Sequence, residues 1–207
     1  MIIQIINASP QTALLISGVV AEATGFTGTG LGSLAATTNG VGLPFDQPSL
    51  TGTHALSTTT NSWRSAPNNS FLIANLKLEF AFNRTYNLSG FSFWNLSGST
   101  TFSNQGIKDA TIEYRLNTGS WTALPISTTN TFTPGSTTGA ATVQQFNFAP
   151  VYATQVRFRN LSNFGGLTTF TNRVGLNEIQ FTSIPEPSST LALLALGLAG
   201  VGLRKRV

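Results

Sequence analysis

The chain has 207 residues, of which 9% are charged and 41% are hydrophobic, and it contains fifteen Phe, three Trp and three Tyr. This composition supplies the core of one globular domain and excludes a chain that is disordered through its charge. With no Cys and a single His, His54, the sequence excludes disulfides, thiolate nucleophiles and metal sites that need several histidines.

The net charge of +4 does not come from a basic cluster in the body of the chain. Residues 1–183 carry eight Lys and Arg against six Asp and Glu, and the cations are spread singly along the sequence. A nucleic-acid surface needs a dense basic stripe. We therefore predict no nucleic-acid partner.

The first 25 residues are a poor match to a secretory signal peptide. They contain no Lys or Arg and only a short apolar run from Ala13 to Ala21, whereas a signal peptide begins with a positively charged segment. The polar, strand-like residues around this run favour a misplaced gene start that omits the leader. The alternative is that the segment already belongs to the mature protein.

The stretch from Thr53 to Asn68 has the residue types of a sugar-binding loop. Trp63 offers a flat face for the C–H side of a pyranose, and His54, Arg64 and Asn68 carry groups that hydrogen-bond hydroxyls. The alternative for Trp63 is a core position at the start of a strand, as for Trp94 and Trp121.

Alternation with period two predicts that the body is an antiparallel β-sandwich. Apolar residues alternate with polar ones from Leu72 to Phe82 and again from Ala110 to Leu116. No sustained helical period occurs before residue 184, and the low-complexity stretch from Thr128 to Thr142 predicts a long hairpin loop. Further strands are marked by pairs of apolar residues: Phe91 and Phe93, Phe146 and Phe148, Val156 and Phe158, Ile179 and Phe181.

Few residues of the body are suited to catalysis. The sequence brings no pair of carboxylates together, His54 is the one imidazole base, and no G-x-S-x-G motif is present. We therefore predict that the protein is not an enzyme.

The composition changes abruptly at Ile184. The triad Pro185-Glu186-Pro187 is followed by two serines that can cap a helix, an apolar run over residues 190–203 and the basic end Arg204-Lys205-Arg206. A 14-residue helix spans about 21 Å, which is shorter than the hydrocarbon core of about 30 Å. Because the flanking cations can snorkel and the run has no polar face, it predicts a short membrane helix; the alternative is a buried helix of the domain.

This ending resembles the PEP-CTERM sorting signal of exported bacterial proteins, which has the same three parts in the same order. The resemblance implies that exosortase, a membrane-embedded protease, recognises Pro185, Glu186 and Pro187. The helix and the cluster Arg204, Lys205 and Arg206 would hold the triad at the outer face of the membrane. It therefore implies a domain over residues 1–183, a sorting signal over residues 184–207, and a membrane-anchored precursor that reaches the cell surface or matrix.

The body resembles discoidin (factor V/VIII type C) domains, which have the galactose-binding-like jelly-roll fold. The resemblance rests on the segments 91–95, 106–112, 156–158 and 175–181. It implies ligand loops at one end of the sandwich and a calcium ion near the last strand, with Asp46 and Glu178 as its candidate ligands. The alternative is a backbone turn at Asp46 and a solvated or bulge position at Glu178.

Together these features predict an exported, non-catalytic β-sandwich that binds polysaccharide and carries a short C-terminal hydrophobic helix. Two alternatives to this prediction stay open. One is a structural matrix component without a specific ligand, and the other is a tail-anchored protein that is never processed.

Overall fold

The computed structural model describes residues 12–25, 28–67, 75–126, 132–166 and 172–185. These ranges contain nine strands: β1 Leu14–Leu15, β2 Val20–Thr24, β3 Leu31–Gly32, β4 Trp63–Arg64, β5 Lys77–Asn95, β6 Thr111–Arg115, β7 Thr122–Ala123, β8 Gln144–Arg159 and β9 Gly175–Ser183. They form one sheet in which every strand pair is antiparallel, with the order β3-β4-β9-β5-β8-β6-β7, β1 beside β9 and β2 beside β5.

Two long strands join segments that the alternation predicts as separate strands. The pattern that ends at Phe82 continues into the strand marked by Phe91, because both lie in the 19-residue β5. Register shifts against β8 between Ala81 and Tyr86 interrupt the alternation within β5. Such irregularities bend a strand and increase its twist, so the sequence pattern breaks where the strand turns and not where it ends.

The bend in β5 closes the sheet into a sandwich. The rings of Phe80 and Phe91 both lie 5.7 Å from the ring of Phe158, although an unbent strand would separate positions eleven residues apart by about 36 Å. Phe181 on β9 contacts Phe80 at 5.4 Å between ring centroids and Phe91 at 6.1 Å. The two halves of β5 therefore face each other across one aromatic core, as the all-β prediction requires.

One short helix, α1 (Thr100–Gln105), was not predicted from the sequence. Ser99 caps it by accepting a hydrogen bond from the backbone N–H of Phe102 at 3.1 Å. Six residues are too few to produce a repeating helical pattern. The described part of the predicted loop, residues 132–142, contains no strand, and Phe132 inserts its ring into the core.

The last strand, β9, runs from one end of the sandwich to the other. Gly175 at its start pairs with Arg64 of β4, and Ser183 at its end pairs with Leu14 of β1. Eight steps of about 3.3 Å place these ends about 26 Å apart. The predicted helix at 190–203 and the basic end at 204–206 lie outside the described residues, and within the described ranges no helix has the length and apolarity to cross a membrane.

Candidate ligand-binding end of the sandwich

Glu178 is a buried acid near the start of β9, with 0% of its surface exposed. Its Oε1 accepts hydrogen bonds from the backbone N–H of Gly40 at 3.1 Å and from the side-chain amide of Gln180. Its Oε2 is buried and has no hydrogen-bond partner among the described residues. Burial raises the pKa of Glu178 to about 8, although the bonds from Gln180 and Gly40 act in the opposite direction.

Asp46 lies on the segment that contacts Glu178. Its Oδ1 accepts a hydrogen bond from the backbone N–H of Gly42 at 2.9 Å, and Gly40 of the same segment donates to Glu178. Residues 40–46 thus connect two carboxylates that are 132 positions apart in the sequence. Asp46 also makes a local turn, since its N–H donates to the carbonyl of Leu43 at 2.9 Å.

One orphaned oxygen at this place, Oε2 of Glu178, is of the kind that calcium binds. Calcium takes six to eight oxygen ligands and is usually anchored by one or two carboxylates. The Oε2 of Glu178, unpartnered among the described residues, would be such an anchor, and the exposed carboxylate of Asp46 is held on the neighbouring segment. No group of three or more His, Asp or Glu converges in the described ranges, so backbone carbonyls and water would supply the other ligands.

His54 is buried against segment 40–46. Its Nδ1 lies 2.9 Å from the carbonyl oxygen of Ala55 and therefore carries the proton, which leaves Nε2 as a buried acceptor without a hydrogen-bond partner in the described part of the chain. Burial lowers the pKa of His54, opposed by the carbonyls of Ala55 and Val41 and by the charge of Asp46. A Cβ at Gly42 (φ +100°) would lie 2.7 Å from Nε2, so only glycine allows this contact.

Arg64 forms a second polar group at the same end, between β4 and α1. Its guanidinium donates to the Oε1 of Gln105 at 3.2 Å and lies 4.3 Å from the ring centroid of Phe102. Burial, and then the like charge of Arg173, lower the pKa of Arg64. Arg173 donates to the carbonyl of Ser65 at 2.6 Å. Two cations are thus held side by side next to an aromatic ring.

Three of the four residues predicted to form a sugar loop lie in described parts of the chain, and each has a different environment. His54 bonds within the loops around segment 40–46, whereas Arg64 bonds to α1. Trp63 lies in the main core with 3% of its surface exposed, which matches the packing alternative. Asn68 lies outside the described residues. The sugar-binding roles of these four residues stay predictions.

Sequence reasoning missed the polar side chains that support this end. The hydroxyl of Ser57 donates to Oδ1 of Asn177 at 2.6 Å and accepts from the N–H of Ser97 at 2.7 Å. Nδ2 of Asn177 and Oγ of Ser97 are buried without partners among the described residues, as are the orphan atoms of His54 and Glu178. The position of Asn177 directly before Glu178 is the one sequence signal for this group. Four unsatisfied polar atoms gathered at one end of the sandwich are typical of a site that binds a ligand or water.

Comparisons with known proteins agree with both predicted resemblances. Residues 183–206 match the PEP-CTERM protein-sorting motif, and this match begins at the last residue of β9. No curated protein shows significant similarity to the chain.

Solved structures share the fold of the body. The family 32 carbohydrate-binding module of Clostridium perfringens NanJ, solved with galactose, has a TM-score of 0.52 at 15% identity, over 84% of this chain and 100% of that one. CBM32-1 from a family 31 glycoside hydrolase of the same organism has a TM-score of 0.53 at 12% identity, over 81% and 95%. A two-domain protein of unknown function from Bacteroides fragilis has a TM-score of 0.46 at 18% identity, and the match covers 84% of this chain but only 45% of that protein. The body therefore shares the fold of the two carbohydrate-binding modules, whose TM-scores exceed 0.5.

Proposed function

We propose that this chain is an exported cell-surface or matrix protein whose β-sandwich binds carbohydrate without catalysis and whose tail is a sorting signal. One observation carries the proposal: a PEP-CTERM motif follows directly on the last strand of a galactose-binding-like sandwich. Residues 1–183 would be the mature domain, and residues 184–207 the signal that exosortase processes. If the binding experiment below finds no ligand, the alternative of a structural matrix protein without a ligand is favoured instead.

The direction of β9 supports the proposal that the sandwich binds the ligand and the tail serves as the sorting signal. The strand begins beside Arg64, about 26 Å from Ser183, where the tail begins, and Glu178 lies about 17 Å from Ser183 along the same strand. The N–H of Ile184 still donates to the carbonyl of Asn87 at 2.9 Å, so the sandwich holds the chain up to the triad. A protein attached through its tail would therefore present its ligand-binding end away from the membrane.

The tail would act in three parts. Pro185 and Pro187 keep Glu186 extended, the helix at 190–203 enters the membrane, and the basic end at 204–206 stays on the cytoplasmic side. Replacing Pro185, Glu186 and Pro187 with Ala in the native host should leave the unprocessed precursor in the membrane. As a matched control, replacing Ser188 and Ser189 with Ala should leave processing unchanged.

Processing of the triple variant at the wild-type rate would contradict recognition through the triad. An intact C-terminus in mature material would instead support the alternative of a tail-anchored protein that is never processed. Mass spectrometry of surface and secreted fractions distinguishes these outcomes.

At the other end, Arg64 is the residue of the predicted sugar loop that would donate to sugar hydroxyls, through the 9% of its surface that is exposed. Its guanidinium has five N–H donors, and among the described residues one of them bonds to Gln105. The ring of Phe102 and the charge of Arg173 lie beside it. Asp46 and Glu178 would hold calcium, which would fix segment 40–46 against β9 and so shape the loops without reacting.

A glycan array tests carbohydrate binding. Residues 1–183 should bind at least one class of neutral or galactose-containing glycan, and Arg64→Gln should weaken this binding at least tenfold. Arg84→Gln is the matched control, because Arg84 is exposed and lies 4.8 Å from the ring of Tyr86. Absence of binding to every glycan would favour a structural matrix component, provided that the melting temperature shows the body to be folded.

A further inference from the structure

Phe45 is the most exposed large hydrophobic side chain of the described residues, with 93% of its surface accessible. Its backbone has φ +65°, and that of Asp46 has φ +52°. A bulky residue in the left-handed region is a conformational outlier. Such strain persists only where the surrounding structure imposes it, and it occurs most often at functional sites.

Hydrogen bonds on both sides of Phe45 fix this conformation. Before it, the N–H of Leu43 donates to the carbonyl of Gly40 at 2.9 Å, and the side chain of Leu43 packs with Trp94 in a small second core. After it, Asp46 bonds to Leu43 and Gly42 at 2.9 Å. The ring is therefore held in solvent by a well-anchored turn, not by a loose loop.

The chemistry around Phe45 selects among possible partners. Between residues 39 and 56 the one ionic side chain is Asp46, and no Lys or Arg occurs. An anionic membrane surface attracts basic segments, so this loop is unsuited to it. A stable protein interface buries about 800 Å² on each partner around a cluster of apolar anchors, and the other exposed large hydrophobic of this segment is Leu56. A single exposed ring on a segment whose polar side chains include Gln47, Ser49 and Thr51 instead matches the size and polarity of one pyranose.

We infer that Phe45 is a stacking platform for the C–H face of a pyranose in a neutral polysaccharide. The inference rests on the proposed carbohydrate-binding function and adds a residue that neither the sequence nor the fold comparison indicates. It also reassigns the aromatic contact that the sequence suggests for Trp63, whose ring is buried in the core. Asp46 links the platform to Glu178, because it bonds to the segment that donates to this acid.

The test uses the full chain in detergent and affinity electrophoresis through gels that contain a neutral galactan, a neutral glucan or a polyuronate. Phe45→Ala should weaken binding to a neutral polysaccharide at least tenfold without lowering the melting temperature, because it removes an exposed side chain. Phe45→Trp should keep the binding and show a change in indole fluorescence when the polysaccharide is added. Tyr152→Ala is the matched control, because Tyr152 is another exposed aromatic (51%) on β8 and should not matter.

The remaining outcomes overturn the inference in distinguishable ways. If the wild type binds a polysaccharide and Phe45→Ala binds it equally well, the stacking role is wrong while the proposed function stands. If the wild type binds none of the polysaccharides or arrayed glycans, the proposed function fails and this inference fails with it. If Phe45→Ala abolishes binding to phosphatidylglycerol vesicles, the ring contacts a membrane instead. If Phe45→Ala abolishes a dimer that sedimentation detects in the wild type, the ring contacts a second copy of the chain.

Discussion

Two buried glutamates of the sandwich have opposite environments. Glu113 on β6 accepts bonds from Arg157 at 2.6 Å and from two nitrogens of Arg159 at 2.9 Å, so both of its oxygens are paired. The hydrogen bond from Arg159 is the main reason that the pKa of Glu113 lies below its ordinary value. Glu178 on β9 has no cationic partner in the described part of the chain, and burial raises its pKa to about 8. Glu113 is therefore a satisfied ion pair, whereas Glu178 is a buried acid with one oxygen unpartnered among the described residues.

The contrast separates the charges that stabilise the fold from those that are available to a ligand. Strongly perturbed acids without a partner cluster at functional sites, whereas satisfied ion pairs also perturb pKa values without any function. The orphan atoms of His54, Ser97 and Asn177 lie at the same end as Glu178. The start of β9, and not the charged face around Glu113, is therefore where a ligand or ion is expected.

The largest expected effect is a pH dependence that comes from Glu178. In chelator, its folded-state pKa of about 8 exceeds the unfolded value of about 4.3, so the folded state binds the extra proton between these values. The free energy of unfolding should then fall as the pH rises through this window, by up to about 5 kcal/mol. Denaturant unfolding of the wild type and of Glu178→Gln from pH 5 to pH 8.5 measures this, and parallel curves for the two proteins would refute it.

The stabilisation of the fold by calcium should be the next largest effect, because the ion would bind the unpartnered oxygen of Glu178. At a hundredfold excess over its dissociation constant, calcium should stabilise the fold by about 2.7 kcal/mol, which raises the melting temperature by about 5 to 10 °C. Asp46→Ala and Glu178→Gln should abolish this shift, whereas Glu113→Gln should retain it. Identical melting temperatures with calcium and with chelator would show that the folded protein does not bind calcium.

Replacing the paired acid Glu113 should change the free energy of unfolding by less than the pH effect of Glu178, and its pH dependence should have the opposite sign. Glu113→Gln leaves Arg157 and Arg159 without their common partner and should destabilise the fold by about 1 to 3 kcal/mol near neutral pH. Because the folded-state pKa of Glu113 is lowered, its contribution should be lost as the pH falls below about 4. Glu22→Gln is the control: Glu22 is exposed and lies directly opposite Glu79, so its replacement should be neutral or slightly stabilising. Equal costs for the two variants would show that the ion pair contributes nothing specific.

Deleting the tail should have the smallest effect on the body. The described contacts of the sandwich end with Ser183 and Ile184, so deleting residues 184–207 should change the melting temperature by less than about 5 °C. Differential scanning calorimetry of the two forms measures the difference. A larger drop would place the tail within the fold and contradict its role as a separable signal.

The tail and the strands could be predicted from the sequence because their signals are local. The triad, the apolar run and the basic end are contiguous, and the alternation through Phe80 and Phe82 follows from the geometry of a strand. The bend of β5 could not be predicted, because it depends on bulges whose partners lie on β8. The short helix α1 was missed for a different reason, since a cap and six residues produce no period.

The candidate site was only partly predictable because it is assembled from distant positions. The resemblance to a family names Asp46 and Glu178 as calcium candidates, which stays a prediction, and no sequence pattern indicates the bond from Gly40 to Glu178, which joins residues 138 positions apart. The cations appear scattered in the sequence, but strand pairing brings Arg157 and Arg159 to one carboxylate. The exposure of Phe45 depends on its left-handed backbone conformation. Because phenylalanine rarely adopts this conformation, the sequence gives no indication of it.

The central claim, that the start of β9 holds an acid which an ion completes, is tested most directly by the carboxyl carbon shift of Glu178 in selectively labelled protein. In chelator the shift should titrate with a pKa of about 8. With calcium added, Glu178 should already be ionised at pH 7, because a bound cation favours the charged form. The same titration curve in chelator and in calcium would contradict the claim.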